Sequence, residues 1–293
     1  MKLSKKQIRT IISIVVVIAV ALVGWFIKRN EKKVVVEGTC FVHYIDVGQG
    51  DCELIESDGE FMLIDAGENG NEQTVINYLR DAGVETIKYV VATHPHSDHI
   101  GGLAEVINEF EIENVIIPKL SLSQTHTTKT YDDFIKAVES SGAKGIYAKV
   151  GAEYSVGEAT FKILGPVSEY EELNDVSVIV KLTHGENTFL FTGDAEYSAE
   201  QDLIENDADE LDCDVYKVGH HGSSTSSCEP FLDAVTPEIC VILCGEDNSY
   251  GHPHDEVMER LGYYTDEIYR TDICGDIIVA SDKENLSVSY ENQ

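Results

Sequence analysis

Between Thr93 and Gly102 the chain reads Thr-His-Pro-His-Ser-Asp-His-Ile-Gly-Gly, which places three histidines and an aspartate within six residues. Ile87 to Thr93, before it, is a run of β-branched and aromatic residues. Leu103 to Phe110, after it, carries apolar residues at 103, 106, 107 and 110, a helical spacing. A metal site needs imidazoles and carboxylates that converge from a backbone that cannot drift. A strand end sets His94 and His96 on one side, two residues apart. The turn then carries Asp98 and His99 round to another direction, so the four can feed two adjacent divalent ions. Gly101 and Gly102 let the helix start close to the site. The competing reading, a solvated polar turn, does not explain why the segment joins a buried-looking strand to an amphipathic helix.

The rest of the chain repeats that grammar. Strands are expected at 39–47, 52–56, 61–64, 114–118, 145–150, 160–164, 176–183, 188–192, 214–218, 238–244 and 277–281. Helices are expected at 71–82, 131–140, 197–205, 229–234 and 254–261. Strand runs separated by single helices predict an α/β fold of two sheets packed face to face with helices outside.

Charge separates the N-terminus from the rest. Residues 1–30 hold six basic residues and no acidic one; the remainder has 15 basic against 53 acidic residues, a net charge of −38. Such a surface repels polyanions at long range and lacks the basic stripe of a dedicated nucleic-acid binder. Residues 1–10 read as a basic tail, Ile11 to Ile27 as an uncharged 17-residue transmembrane anchor, and 28–38 as a charged linker. A cleaved signal peptide competes, but no small-residue cleavage site follows. Basic residues flank the segment equally; with a short tail in front and a large domain from 39 to 293 behind, an external domain is expected. The seven cysteines, an odd number without a CxxC pair and mostly in apolar runs, read as small buried hydrophobes.

The HxHxDH pattern followed by Gly-Gly resembles the signature of the metallo-β-lactamase superfamily. Further segments resemble the hydrolase domain of the ComEC family of competence DNA-uptake proteins: Tyr44-Ile-Asp-Val-Gly-Gln-Gly-Asp51, Leu63-Ile-Asp-Ala-Gly67, Phe191-Thr-Gly-Asp194, Lys217-Val-Gly-His-His-Gly-Ser223, Tyr250-Gly-His-Pro-His254 and Arg270-Thr-Asp272. They occur in the order that family expects and cover nearly everything after residue 38. The resemblance implies an αββα sandwich holding two divalent ions, zinc first and manganese second. It implies that His94 and His96 bind one metal, that Asp98, His99 and His220 bind the other, and that Asp194 bridges. Asp65 and Asp46 would support the ligands from behind, although Asp65 also reads as a turn aspartate. Many superfamily members place another histidine just before the strand that leads to the bridging aspartate; here that position falls on Asn174 or its neighbour Asp175, so that Asn174, Asp175 or a water would complete the first site.

His220 is favoured as ligand over His221 because it comes first after its strand. His221, with His252 and His254, would then face substrate as a proton donor. Ser223 and Ser224 offer hydroxyls and N–H groups to an anionic oxygen, or cap the following helix. The implied reaction is hydrolysis, with metals lowering the pKa of water toward 7 and Asp98 orienting it. Phosphodiesters are the first substrate class, nucleic acid included, and a DNA-uptake channel is a partner that the resemblance suggests. A small or cell-wall ester, such as a phosphorylcholine ester, is the second reading. A non-catalytic, metal-stabilised surface module is the third.

Overall fold

Two mixed sheets are set by runs of β-branched and aromatic residues whose alternate positions must be buried. The computed structural model describes residues 39–121, 124 and 128–292. The expected tail (1–10), anchor (11–27) and linker (28–38) lie outside the described residues. Among the described residues no helix is long and apolar enough to cross a membrane.

The strands are β1 (Cys40–Tyr44), β2 (Glu53–Ser57), β3 (Glu60–Ile64), β4 (Thr86–Val91), β5 (Glu111–Ile117), β6 (Lys144–Tyr147), β7 (Glu153–Val156) and β8 (Ala159–Gly165). They continue as β9 (Ile179–His184), β10 (Asn187–Phe191), β11 (Val215–Lys217), β12 (Ile239–Ile242), β13 (Ile268–Arg270), β14 (Ile277–Ser281) and β15 (Leu286–Tyr290). The first sheet runs β15-β14-β1-β2-β3-β4-β5-β6, and the second β13-β12-β11-β10-β9-β8-β7. In the first, β3 to β6 are parallel and the remaining pairs antiparallel. In the second, β10 to β13 are parallel. The expected α/β sandwich of two mixed sheets is thus observed. β7, β13 and β15 were not expected, and β9 starts at Ile179 rather than 176, because 176–178 run as a loop beside Thr93.

Alternation decides which face each residue covers. Tyr44, Ile55, Met62, Phe161, Phe189 and Val215 meet in the core between the sheets. Leu54, Leu63 and Val90 point outward, under α1 (Glu72–Asp81), α3 (Leu103–Glu109) and α4 (Lys129–Ser141). On the other side Leu190, Tyr216 and Ile242 pack under α5 (Tyr197–Asp207), α6 (Glu229–Val235) and α7 (Asp255–Leu261). The cysteines are free thiols and, apart from the half-buried Cys228, buried, as the composition suggests.

The parallel halves matter for the site. Their C-terminal strand ends share one edge of the sandwich, where the loops after β3, β4, β10, β11 and β12 converge. The short α2 (Ser97–Ile100) sits there, close against the neighbouring loops. A Cβ at Gly101 would lie 2.3 Å from the Asn69 nitrogen, and one at Gly50 would lie 2.2 Å from the Asp98 carbonyl oxygen. Both contacts are with backbone, which cannot rotate away, so only glycine fits.

Candidate metal centre

The Asp194 carboxylate, 2% exposed, is the hub. It follows β10 and is surrounded by imidazoles from the loops after β4 and β11. Its Oδ1 lies 3.2 Å from His99 Nε2 and 3.6 Å from His221 Nε2. Its Oδ2 lies 3.8 Å from His94 Nε2 and 3.6 Å from His220 Nε2. Asp98 Oδ2 closes the first group, 3.4 Å from His221 Nε2 and 4.0 Å from His99 Nε2. His96 Nδ1 lies 3.1 Å from His94 Nε2, on the other side. One ligand-type atom each from Asp98, His99, Asp194 and His221 falls within 4.8 Å of the others.

The surrounding hydrogen bonds fix which ring nitrogen faces that point. His99 Nδ1 donates to Asp65 Oδ2 at 2.8 Å. His221 Nδ1 lies 3.0 Å from the Leu243 carbonyl, which can only accept, so Nδ1 carries the hydrogen. At His94, the nearby hydroxyls of Thr93 and Ser177 are already committed as donors, to Asp65 and to the Asn174 carbonyl. Its Nδ1 is therefore the donor, and in all three rings Nε2 is the nitrogen turned inward, free to bind a metal that displaces its proton. Carbonyl and carboxylate partners behind imidazoles are the usual means of aiming metal ligands.

Electrostatics favour a cation at the shared point. Burial pulls His221 down, but Asp194 and Asp51 outweigh it and raise its pKa to about 9. Burial likewise opposes charge on His99, while Asp194, Asp51 and Asp65 hold it well above the usual histidine range. Burial would raise Asp194, yet His99 and His221 keep it well below the carboxylate range. The fit to a divalent ion rests on a plainer observation. His99 Nε2, Asp194 Oδ1 and His221 Nε2 are buried and have no hydrogen-bond partner among the described residues. Buried polar atoms are otherwise paired, and one cation between them would satisfy all three.

Several expected residues are where the sequence puts them. Asp65, fully buried with φ 54°, accepts from Thr93 N at 2.8 Å and from His99. Other expectations need correction. His221, not His220, completes the group of Asp98 and His99, because both residues adopt left-handed backbone and the strand alternation does not carry through them. Asp46 does not reach a ligand: its Oδ1 accepts from Gly48 N at 3.0 Å. The carboxylate that does lie beside these rings is Asp51, whose Oδ1 is 3.2 Å from His221 Nδ1 and whose Oδ2 is 3.7 Å from His99 Nδ1. Asp51 in turn pairs with the fully buried Lys217.

The backbone N–H groups of Ser223 and Ser224 are spent locally. Ser223 N donates to His220 O at 2.8 Å, and Ser224 N donates to His254 Nδ1 at 3.0 Å. His254 is thereby engaged at the start of α7, away from the cavity. His252 does line the cavity, stacked against Tyr250 at 5.6 Å. Burial, with the charges of His221 and His220, lowers its pKa to about 4. Asn174 also lines it; its Nδ2 donates to Glu196 Oε1 at 3.1 Å, and its Oδ1 is buried without a partner. The cavity measures about 370 Å³ and has Asp98, Asp194, His96, His220 and His221 in its wall.

The profile of the Metallo-beta-lactamase superfamily matches residues 45–246. The chain is 28% identical over 255 residues to ComE operon protein 3 of Bacillus subtilis (strain 168), a match over 80% of this chain and 32% of that protein. It is 29% identical over 260 residues to Competence protein ComA of Neisseria gonorrhoeae, over 88% of this chain and 34% of that protein. The chain therefore spans about a third of the length of these curated relatives. Among solved structures, CmlA, a diiron beta-hydroxylase from Streptomyces venezuelae, shares the fold with a TM-score of 0.55 at 14% identity, over 87% of this chain and 55% of that one. With the two mixed sheets, the ordered motifs and the profile agreeing, the chain belongs to the metallo-beta-lactamase superfamily.

Proposed function

We propose that the chain is a metal-dependent hydrolase acting on phosphodiesters, held at a membrane by residues 11–27 with its domain outside. The observation that carries the reading is the convergence of Asp98, His99, Asp194 and His221 at the wall of an open cavity large enough for a small substrate. One divalent ion, zinc or manganese, would sit among these four; a second would take His94 and His96, with Asp194 between them. When bound, the metals would polarise a phosphoryl oxygen and make a water acidic. Asp98 borders both the cavity and the ligand group, so its carboxylate orients the attacking water. His252, in the cavity wall beside His220 and His221, hydrogen-bonds the leaving oxygen. Asp65 and Asp51 keep the ligand imidazoles aimed inward.

Phosphodiesters are preferred over carboxylic esters because the ordered motifs resemble those of the competence DNA-uptake family, and one relative is named a competence protein. By the same likeness, a DNA-uptake channel is the proposed partner. A second reading, hydrolysis of small or cell-wall phosphodiesters, is favoured by the net charge of −38 carried beyond residue 30, which weakens the binding of a long polyanion. The Asp98→Ala variant tests whether the site is catalytic at all. Turnover of bis-p-nitrophenyl phosphate is expected to fall at least about 10²-fold with the fold retained. A folded variant as active as wild type would leave the surface-module reading instead.

A further inference from the structure

The two oxygens of Asp194 divide the imidazoles into two pairs. Oδ1 faces His99 and His221; Oδ2 faces His94 and His220, at 3.8 and 3.6 Å. His96 Nδ1 belongs to the second pair through its 3.1 Å approach to His94 Nε2. We propose that His220 is the third imidazole ligand of the metal held by His94 and His96, so that two adjacent histidines serve different metals. This rests on the two-metal reading above. It fills the position that the sequence leaves to Asn174.

Two features of the backbone and its surroundings support the assignment. His220 (φ 48°, ψ 46°) and His221 (φ 55°, ψ 22°) are consecutive non-glycine residues in the left-handed region. Such residues are strained and persist where the surroundings demand it. In extended backbone the two rings would leave on opposite faces. Here both reach Asp194, with ring centroids 6.0 Å apart and planes at 66°.

The second feature is the ring's orientation. His220 Nδ1 lies 3.1 Å from Thr225 Oγ1 and 3.2 Å from Glu196 Oε1. The Thr225 hydroxyl donates to that same Glu196 oxygen at 3.0 Å, so it cannot also donate to the ring. Nδ1 must carry the hydrogen, which leaves the Nε2 lone pair directed at the Oδ2 side. A carboxylate behind an imidazole is the arrangement that aims a metal ligand. Glu196 is thus a positioning residue, and it takes the Asn174 amide as well.

The test counts metals in the purified full-length chain after zinc loading and desalting, by plasma mass spectrometry, with cobalt titrations followed by visible absorption. Asparagine tolerates left-handed backbone, so His220→Asn keeps the turn. Wild type should hold two metals, and His220→Asn and His94→Asn one each. The double variant of these two should still hold one, because both act on the same metal, whereas His220→Asn with His221→Asn should hold none. Two metals in His220→Asn with one in Asn174→Ala would overturn the assignment and return the position to Asn174. Fewer than two metals in wild type would overturn the two-metal reading and this inference with it. A measurement on wild type alone guards against misfolded variants: with 15N-labelled histidine, the His220 Nε2 resonance should shift as the zinc sites fill. If it stays in place while those of His94 and His96 move, the proposal is wrong.

Discussion

Replacing Lys217 by methionine keeps the volume of a fully buried side chain and removes its charge. Lys217 lies on the face of β11 that Val215 shares, toward the space between the sheets, and its ammonium pairs with Asp51 while donating to the Gly193 carbonyl at 3.1 Å. The substitution removes the nearest cation from a fully buried carboxylate that keeps only the His221 and His99 rings beside it, a cost toward the low end of about 3–5 kcal/mol. The lost hydrogen bond to Gly193 adds about 1 kcal/mol. Against a typical domain stability of about 5–15 kcal/mol, that total is a large fraction. Urea unfolding of the chelator-treated chain should show the midpoint falling by on the order of 2 M, for a slope near 3 kcal/mol/M. Adding Asp51→Asn should recover most of the loss, about 3 kcal/mol, since the penalty lies in a buried charge deprived of its ammonium and not in the missing lysine itself. A shift worth less than about 1 kcal/mol, or strictly additive single variants, would refute the idea that Lys217 exists to hold Asp51 behind the ligands.

Two further outcomes follow from groups near the site. Burial raises Glu200, whose carboxylate accepts from Ser227 N and Cys228 N, from 4.5 to about 7. Between those values the folded chain keeps a proton that the unfolded chain has lost, so stability falls by about 3 kcal/mol as pH rises from 4.5 to 7. Glu200→Gln should remove that slope in urea midpoints taken across the window, and parallel curves for the two proteins would contradict it. His252→Phe should lower kcat for bis-p-nitrophenyl phosphate about 10²-fold with both metals retained, because the ring borders the cavity without facing Asp194. An unchanged kcat would assign His252 no part in the reaction.

Much of this was legible in the sequence, for physical reasons. A run such as Ile87 to Thr93 cannot be exposed, and a polar cluster at its end must sit at a sheet edge. The His94 to His99 motif accordingly follows β4, and Asp65 follows β3. Edge strands were harder. β7 is mostly exposed and has no apolar run to announce it, and β13 is only three residues long. β15 did carry a signal: Leu286, Val288 and Tyr290 alternate, and all three pack against the core between the sheets.

The errors at the site have separate causes. The order of His220 and His221 was inferred by continuing a strand, and the left-handed turn breaks that count. In sequence Asp51 reads as part of a glycine-rich turn, and Asp46, five residues earlier, reads as the more natural supporting acid. A usable signal stood elsewhere in the chain. Lys217 interrupts the apolar run Val215 to Val218, and a lysine there requires a buried acid near it. Ser223 and Ser224 looked available because a sequence does not show which N–H groups the turn itself consumes.

The central claim is most directly tested by metal content together with turnover of bis-p-nitrophenyl phosphate on the purified full-length chain, before and after chelation. The account predicts two divalent ions per chain, turnover that chelator abolishes, and recovery when zinc or manganese is restored. Turnover that survives complete removal of metal, or a fully loaded chain that hydrolyses no phosphodiester, would contradict it.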